Sequence, residues 1–435
     1  MEETFITSIK INKVRHLEGL EIRLSDTERK HLILTGKNGS GKTSVLLEIR
    51  NYISALTNNW LQNKDSNFWS IYQQYLNQIN SIKNNSWNYL KNSDQNNGIN
   101  NYWHDNTGLV IQQRHLKILE NEWSFLQKIA SSNFDISIEI SNSNIVYQNF
   151  IQGNFLSVFF DSKRINFIGS NNAITKQVIR DNYGIRELAN LNFGQYIVNL
   201  KAKKSFAKDE NNSILVAQID SWFERFTNLL KQVFDDNSIE LKFDSDSFNF
   251  YINSENKPSF DFNTLSDGYS ALFAIITEIM MRMESKSSAV YDLQGIVLID
   301  EIETHLHIDL QKKILPFLTS FFPKIQFIVT THSPFVLSSV DNAVIYDLEK
   351  QIRVEDLSGY SYSNIIKSYF GADEYSAELR EKVSEYETLL NLNNLNLPQK
   401  ERLYELKLFF KELPKSLSPE LQLKISQLEL AELAA

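Results

Sequence analysis

Residues 31–43 have the sequence HLILTGKNGSGKT, an apolar run followed by a glycine-rich loop. The loop, residues 36–43, matches the pattern G-x-x-x-x-G-K-[ST], with a predicted buried strand before it and a predicted helix after it. Glycines let backbone amides approach phosphate oxygens, and a helix N-terminus adds a favourable partial charge. The stretch therefore predicts a phosphate-binding loop in an α/β fold.

Individual residues of this loop have distinct expected roles. Lys42 is expected to reach the β- and γ-phosphates of ATP, and Thr43 is expected to bind Mg²⁺. A chance match in a glycine turn is the alternative, and the predicted strand and helix on either side argue against it. The other residues expected to contact the nucleotide are Asn38, Gly39, Ser40, Gly41 and Ser44.

A second apolar run, residues 296–301 with the sequence IVLIDE, ends in two acidic residues. A strand there would deliver Asp300 to the metal and place Glu301 where it can orient and polarise an attacking water. Many strands end at an acidic cap, so this pattern alone is weak evidence for a metal site. It becomes strong evidence because the same chain contains the glycine loop. We expect Asp300 to be a metal ligand and Glu301 to be catalytic.

A histidine follows the next predicted strand, in the sequence TTHSP at residues 330–334. Ligands of parallel sheets bind at the carboxyl ends of the strands, so His332 is expected in the same crevice as Asp300 and Glu301. A lone histidine is usually structural, but this position favours a catalytic role.

The sequence LSDGY, residues 265–269, precedes an apolar helix. A small hydroxyl and a glycine at a helix N-terminus can form an anion site, although an ordinary capping turn gives the same pattern. From this stretch alone the capping turn is the better interpretation. If Ser266 and Gly268 do form a phosphate site, it would serve the ATP of a neighbouring subunit, because one subunit already has a phosphate loop.

The bulk composition limits the protein class. The chain has 435 residues, a net charge of -9 and no cysteine. The acidic balance argues against a protein that coats nucleic acid, and the lack of cysteine excludes disulfides and cysteine-ligated zinc. The chain shows no signal-peptide pattern and no apolar run near the roughly 20 residues that span a bilayer. These features predict a cytoplasmic protein without a membrane partner.

Shifts in composition predict five regions. Five of the six tryptophans fall in the second region, which we interpret as helical in preference to a disordered linker. The predicted strands outside the motifs are residues 4–14, 20–24, 134–140, 144–151, 155–162, 238–243 and 248–252. Residues 193–234 are predicted to be helical with a break at the polar sequence KDENNS (208–213), and residues 257–266 to form a loop. The regions are an N-terminal lobe with the phosphate loop (1–57), an Asn/Trp-rich helical insertion (58–133), strands with a helical arm (134–258), a C-terminal lobe (259–370) and a helical tail, a candidate interface (371–435).

The order and spacing of these motifs resemble ABC ATPases of the SMC/Rad50/RecF-like branch, and the resemblance covers about residues 4–50 and 259–349. It implies an α/β fold, an ABC/SMC-like P-loop ATPase head with a helical insertion and a C-terminal helical region. The matching segments are Walker A (36–43), the ABC signature (265–269, LSDGY for the transporter form LSGGQ), Walker B (300–301), the D-loop (302–307) and the switch histidine (332).

The resemblance implies that two subunits pack head to tail around two ATP molecules. Ser266 and Gly268 of one subunit would contact the γ-phosphate held by Lys42 of the other. Arg15 stands where this branch places a basic residue near the nucleotide. The Q-loop departs from the family pattern because no glutamine stands in an obvious strand-end context. The candidates are Gln112, Gln113 and the strand end at residues 160–164.

The insertion is too short for the coiled coil of true SMC or Rad50 chains, and the acids after His332 do not form a TOPRIM nuclease pattern. The architecture is most similar to stand-alone ATPase subunits of bacterial anti-phage systems. The Septu subunit, a type also found with retrons, comes first and PARIS next. This similarity implies an ATPase subunit that regulates a partner nuclease, HNH-type or TOPRIM-type, with ATP, Mg²⁺ and other copies of itself as ligands and partners.

Two alternatives remain open. The first is a RecF/SMC-like repair ATPase that binds DNA directly. The basic residues that could contact DNA are Lys201, Lys203, Lys204 and Lys208, and the competing interpretation is that they form a solvated helix face. The second is an ATP-gated scaffold with little turnover.

Overall fold

The computed structural model divides the chain into two compact units, residues 1–359 and residues 360–435. For residues 66–67, 83–93, 377–378 and 380, only the backbone is described. The described residues are 3–61, 66–93, 116–117, 119–120, 124–131, 134–164, 174–175, 179–255, 257–285, 293–354, 357, 377–390, 392 and 396–412.

The strands are β1 (Ile6–Val14), β2 (Leu17–Arg23), β3 (His31–Thr35), β4 (Ile136–Ile140), β5 (Phe155–Phe160), β6 (Glu240–Asp244), β7 (Asn249–Ser254), β8 (Lys257–Asp261), β9 (Gln294–Ile299), β10 (Ile325–Thr330), β11 (Ala343–Asp347) and β12 (Ile352–Val354). The α-helices are α1 (Lys42–Thr57), α2 (Ser66–Ser93), α3 (Ser143–Ile151), α4 (Phe193–Asp209), α5 (Ser213–Phe234), α6 (Asp267–Met283), α7 (Ile308–Phe321), α8 (Pro334–Leu337), α9 (Ala377–Leu390) and α10 (Leu397–Glu412).

A six-stranded sheet in the order β12-β11-β3-β10-β9-β5 forms the centre of the first unit. All neighbouring pairs are parallel except β11 with β12. Every residue of β3, β9 and β10 is buried, which explains their continuous apolar sequences. The predicted α/β fold is confirmed, and the carboxyl ends of β3, β9, β10 and β5 meet along one edge of the sheet.

Two smaller antiparallel sheets, β2-β1-β4 and β6-β7-β8, accompany the central sheet. The predicted strands at β1, β2, β4, β6 and β7 are confirmed, and so is the break between α4 and α5. The prediction of a loop at residues 257–266 is wrong at its beginning, because Lys257–Asp261 pairs with β7 as β8. Phe260 lies opposite Ile252 in that pair, so the strand adds apolar surface to the sheet.

The predicted strand at residues 144–151 is wrong, because this segment lies in helix α3. Its two buried residues are Val146 and Phe150. They are four positions apart, and residues with this spacing share one face of a helix and also one face of a strand, so the spacing alone did not distinguish the two.

Part of the Asn/Trp-rich region is helical as predicted, since α2 spans Ser66–Ser93. The aromatic residues Trp60, Phe68 and Phe125 are buried in one cluster with Ile129. The rings of Trp60 and Phe68 meet edge to face at 5.5 Å between centroids. Trp103, Trp123, Gln112 and Gln113 lie outside the described residues.

The described part of the second unit is a pair of helices, α9 and α10. The buried residues that join them are Val383, Tyr386, Leu389, Leu406 and Phe410. The helical spacing predicted for this tail is therefore confirmed within α9, and the segment after Pro414 lies outside the described residues. No helix in the described part of the chain is long and apolar enough to cross a membrane.

Candidate nucleotide and metal site

The glycine loop joins the end of β3 to the first turn of α1. Gly36 has φ 128° and Gly41 has φ 100°, a region that residues with a side chain rarely adopt. A Cβ atom at Gly36 would lie 2.8 Å from Ser40 Oγ, and one at Gly41 would lie 3.0 Å from Leu17 Cδ1. Glycine is therefore required at both positions.

Lys42 begins α1, and its side chain turns back into the loop. Its Nζ donates to the carbonyl oxygens of Gly36 at 2.8 Å and of Lys37 at 3.0 Å. Burial lowers the pKa of Lys42, while the nearby carboxylates of Glu301, Glu303 and Asp300 act to raise it. The ammonium group thus lies inside the loop that is expected to hold phosphate.

Thr43 and Asp300 come together across the sheet edge. Thr43 Oγ1 donates to the Asp300 carboxylate, at 3.2 Å from Oδ1 and 3.1 Å from Oδ2. Burial raises the pKa of Asp300, and hydrogen bonds from Thr330 and Thr43 act in the opposite direction. A hydroxyl and a carboxylate are oxygen ligands of the kind that Mg²⁺ accepts, with its other positions left to phosphate and water, so these residues fit a magnesium site.

Glu301 follows Asp300 and has a left-handed backbone, with φ 44°. Its N–H donates to Thr330 Oγ1 at 2.7 Å, and its carbonyl accepts from Arg164 Nη2 at 2.6 Å. Its Oε2 accepts from Thr304 Oγ1 at 3.2 Å. Glu301 is therefore held by residues from both neighbouring strand ends and from its own turn.

His332 lies two residues past the end of β10. Its backbone N–H donates to Glu303 Oε1 at 2.6 Å. Burial, followed by the positive charge of Lys42, lowers the pKa of His332, while Glu303 acts to raise it. Because the pKa is lowered from an ordinary value of 6.5, the neutral imidazole is favoured at pH 7, and it can accept one hydrogen bond and donate another.

The structure thus brings Lys42, Thr43, Asp300, Glu301 and His332 to one sheet edge. Of the remaining loop residues, Ser40 is buried, Ser44 is half-buried, and Asn38 and Gly39 are exposed.

Ser266 and Gly268 lie at the N-terminus of α6 and line an open cavity with residues such as His305 and Lys312. A Cβ atom at Gly268 would lie 2.8 Å from the carbonyl oxygen of His305, so α6 packs closely against the turn that follows Glu301. No residue of the glycine loop is among the residues that line that cavity.

Arg15 is exposed in the turn between β1 and β2, with φ 56°. The same turn reaches the glycine loop, because a Cβ at Gly41 would lie 3.8 Å from His16 Cε1. The turn that carries Arg15 is therefore next to the phosphate loop.

Sequence reasoning gave no role to Thr330 or Glu303, and considered Arg164 only as part of a strand end. Thr330 Oγ1 donates to Asp300 Oδ1 at 2.6 Å and accepts from Glu301, so it connects the two acids. The position of a hydroxyl residue at the end of the strand beside IVLIDE is the signal that points to it.

Comparisons with known proteins show the family to which the chain belongs. The model of the family described as "AAA domain, putative AbiEii toxin, Type IV TA system" matches residues 57–338. The chain belongs to this family. The Septu protein PtuA of Bacillus mycoides (strain KBAB4) is 37% identical over 151 residues, which are 33% of this chain and 21% of that protein. The Retron Ec83 probable ATPase of Escherichia coli is 42% identical over 98 residues, which are 22% and 18%.

The predicted resemblance to Septu and retron-associated ATPases is therefore confirmed for part of the sequence. The PtuA of Bacillus thuringiensis is 30% identical over 177 residues, and the match spans 44% of that protein, so each of these relatives is matched over less than half its length. Among solved structures, an SMC head bound to the C-winged helix domain of ScpA has a TM-score of 0.35 and 13% identity, covering 79% of this chain and 93% of that one.

Proposed function

We propose that this chain is an ATP-binding and ATP-hydrolysing subunit of a cytoplasmic anti-phage defence complex. The observation that carries the proposal is the convergence of Thr43 with Asp300, at 3.1–3.2 Å, beside Lys42 and Glu301. A hydroxyl, a carboxylate, an ammonium group and a second carboxylate are the groups that phosphoryl transfer to water needs. The names of the Septu and retron relatives support the defence role.

In the proposed reaction, Lys42 and the loop amides bind the β- and γ-phosphates. Thr43 and Asp300 would hold Mg²⁺, which neutralises charge on the phosphate oxygens when bound. Glu301 accepts a proton from a water that attacks the γ-phosphorus, the bond to the β–γ bridging oxygen breaks, and ADP and phosphate leave. His332 lies beside Lys42 as a neutral imidazole that can hydrogen-bond the γ-phosphate.

Steady-state hydrolysis by the purified chain tests this assignment. Glu301→Gln should lower turnover by at least about 100-fold with little change in ATP affinity, because it removes the proton acceptor and keeps the shape. Lys42→Ala should abolish ATP binding. Equal turnover in the parent and in Glu301→Gln would contradict the hydrolytic role. If both rates were indistinguishable from zero while ATP still bound, the ATP-gated scaffold would be the better account.

We further propose that the site is completed by a second copy in head-to-tail packing, with Arg15 near the nucleotide. The support is that Ser266 and Gly268 line an open cavity away from the glycine loop of their own chain. The mass of the Glu301→Gln variant should double or rise further when ATP and Mg²⁺ are added, and Ser266→Arg should prevent the change. A constant monomer mass with bound ATP would contradict this assembly.

The proposed partner is a nuclease, HNH-type as expected for Septu or TOPRIM-type as expected for PARIS. We assign its contact to the insertion (58–133) or the tail (371–435), which lie outside the converging site residues. Co-expression with the neighbouring nuclease gene, followed by affinity capture and a mass measurement, tests this. Loss of capture in a chain with a substituted tail, but with ATP binding intact, is the expected result, and failure to capture any nuclease would contradict the proposal.

Direct DNA binding is the alternative, and the charges on α4 weaken it. Lys204 forms an ion pair with Asp220, and Lys201 is half-buried, which leaves Lys203 and Lys208 exposed in that run. A DNA titration at several salt concentrations separates the two ideas, because strong salt-dependent binding by the isolated chain favours the repair ATPase.

A further inference from the structure

Arg164 is a buried arginine four residues beyond the end of β5. Its relative exposure is 8%. One of its nitrogens, Nη2, donates to the carbonyl oxygen of Glu301 at 2.6 Å. The other two, Nε and Nη1, are buried and have no hydrogen-bond partner among the described residues. A buried cation with one hydrogen bond is costly, so a role beyond packing is worth seeking.

The surroundings of Arg164 are acidic. Burial lowers its pKa to about 10, and the carboxylates of Glu303, Asp300, Glu301 and Asp161 act to raise it. The guanidinium is therefore charged at neutral pH. Its positive charge faces the acids that the proposed reaction uses, and it can hold them close together despite their mutual repulsion.

The hydrogen bond from Arg164 holds the carbonyl of Glu301, a residue whose left-handed backbone conformation is unfavourable. Residues with a Cβ rarely adopt φ 44°, and such a conformation persists only when surrounding contacts hold it. In the sheet, β9 lies between β10 and β5. Thr330 holds the N–H of Glu301 from the β10 side, and Arg164 holds its carbonyl from the β5 side.

We propose that Arg164 is a positioning residue for Glu301, which fixes the left-handed turn that aims this carboxylate at the attacking water. The proposal rests on the proposed ATPase function and adds to it a residue whose effect passes through Glu301. Arg164 contributes its charge and one directional hydrogen bond to the Glu301 carbonyl.

Loss of Arg164 should lower kcat without weakening ATP binding. A hydrogen bond from a charged donor that is needed only for correct orientation is expected to affect turnover by about 10- to 100-fold. Arg164→Met keeps an unbranched side chain that reaches about as far as Nε, and it removes the charge and the donors. It should lower kcat by about that factor and leave KM and ATP affinity within about twofold. Arg164→Lys keeps one charged donor and should restore part of the rate.

The decisive experiment is a double-mutant comparison in the full chain under single-turnover conditions, with Mg-ATP affinity measured in parallel. If Arg164 acts through Glu301, adding Arg164→Met to Glu301→Gln should slow the reaction no further than Glu301→Gln alone. Arg23→Met, which removes an exposed arginine paired with Glu21, is the matched control and should have no effect.

Thermal unfolding separates positioning from a structural role. Removing this cation relieves the cost of burying it but leaves the neighbouring carboxylates without their counter-charge, so the unfolding temperature is expected to fall. A variant that is slow yet fully folded at the assay temperature supports the proposal. Fully additive losses in the double variant, a weakened ATP affinity with unchanged kcat, or an unfolded Arg164→Met protein that Arg164→Lys does not rescue would each overturn it. A parent chain without any turnover would instead show that the proposed function itself is wrong.

Discussion

Replacing Thr330 by valine should disconnect the two acids of the site while preserving its shape. Valine has the same branching as threonine and lacks the hydroxyl. In the parent, that hydroxyl donates to Asp300 Oδ1 at 2.6 Å and accepts the N–H of Glu301 at 2.7 Å. Thr330 is fully buried, so water cannot replace the lost group without opening the sheet edge.

The expected cost follows from these two bonds. A buried hydrogen bond to a carboxylate contributes about 1.5–3 kcal/mol, and one between neutral groups contributes about 0.5–1.5 kcal/mol. Together they predict that the Thr330→Val variant loses about 2–4.5 kcal/mol of stability. For a protein of this size, each kcal/mol corresponds to about 2 °C or less, so the unfolding temperature should fall by a few degrees and by no more than about 9 °C. Turnover should fall at least about tenfold, because both acids lose a shared anchor.

Thermal unfolding and ATP hydrolysis, measured on the parent, Thr330→Val and Thr330→Ser, check this reasoning. Serine keeps the hydroxyl and loses one buried methyl group, which costs about 1 kcal/mol. The serine variant should therefore remain more active and more stable than the valine variant. The reasoning is refuted if valine equals the parent in both measurements, or if serine is the more damaging substitution.

Three further predictions concern stability. Asp300→Asn should raise the unfolding temperature in metal-free buffer at neutral pH. The pKa of Asp300 is raised in the folded state, so the protein loses stability as the pH rises through that pKa and the carboxylate becomes charged. Asparagine carries no charge and removes this cost. The same variant should lose the stabilisation that Mg-ATP gives the parent; a lower metal-free unfolding temperature would count against this. Gly268→Ala should lower the free energy of unfolding by about 1–3 kcal/mol, because its Cβ would lie 2.8 Å from the carbonyl oxygen of His305. Denaturant unfolding measures this loss, and an unchanged midpoint would show that the turn at His305 moves aside without cost. Glu278→Gln should cost about 3–5 kcal/mol in the same assay, because it breaks a buried ion pair with Arg282 at 2.7 Å, and a loss below about 1 kcal/mol would be inconsistent with that pairing.

Much of the fold and the site was predictable because the signals are local. The buried strands β3, β9 and β10 are continuous apolar runs, and each is followed directly by the polar residues that meet at the sheet edge. Since parallel strands place their carboxyl ends together, the proximity of Lys42, Asp300 and His332 follows from the sequence pattern alone.

The errors have physical causes that lie outside local sequence. Residues 144–151 are rich in residues that favour strands, yet helix α3 buries Val146 and Phe150, so tertiary packing overrides propensity. The bond between Arg164 and Glu301 joins residues 137 positions apart. A single arginine after a strand does not reveal which carbonyl it will meet, because that depends on which strands become neighbours.

The nucleotide retained by the Glu301→Gln variant tests the central claim most directly. The variant is incubated with ATP and Mg²⁺, separated from free nucleotide, and the bound nucleotide is identified and counted against the protein. The account predicts that Glu301→Gln retains ATP, that the parent retains ADP or releases it, and that Lys42→Ala retains none. Recovery of ADP from Glu301→Gln at the parent's rate, or equal retention by Lys42→Ala, would contradict it.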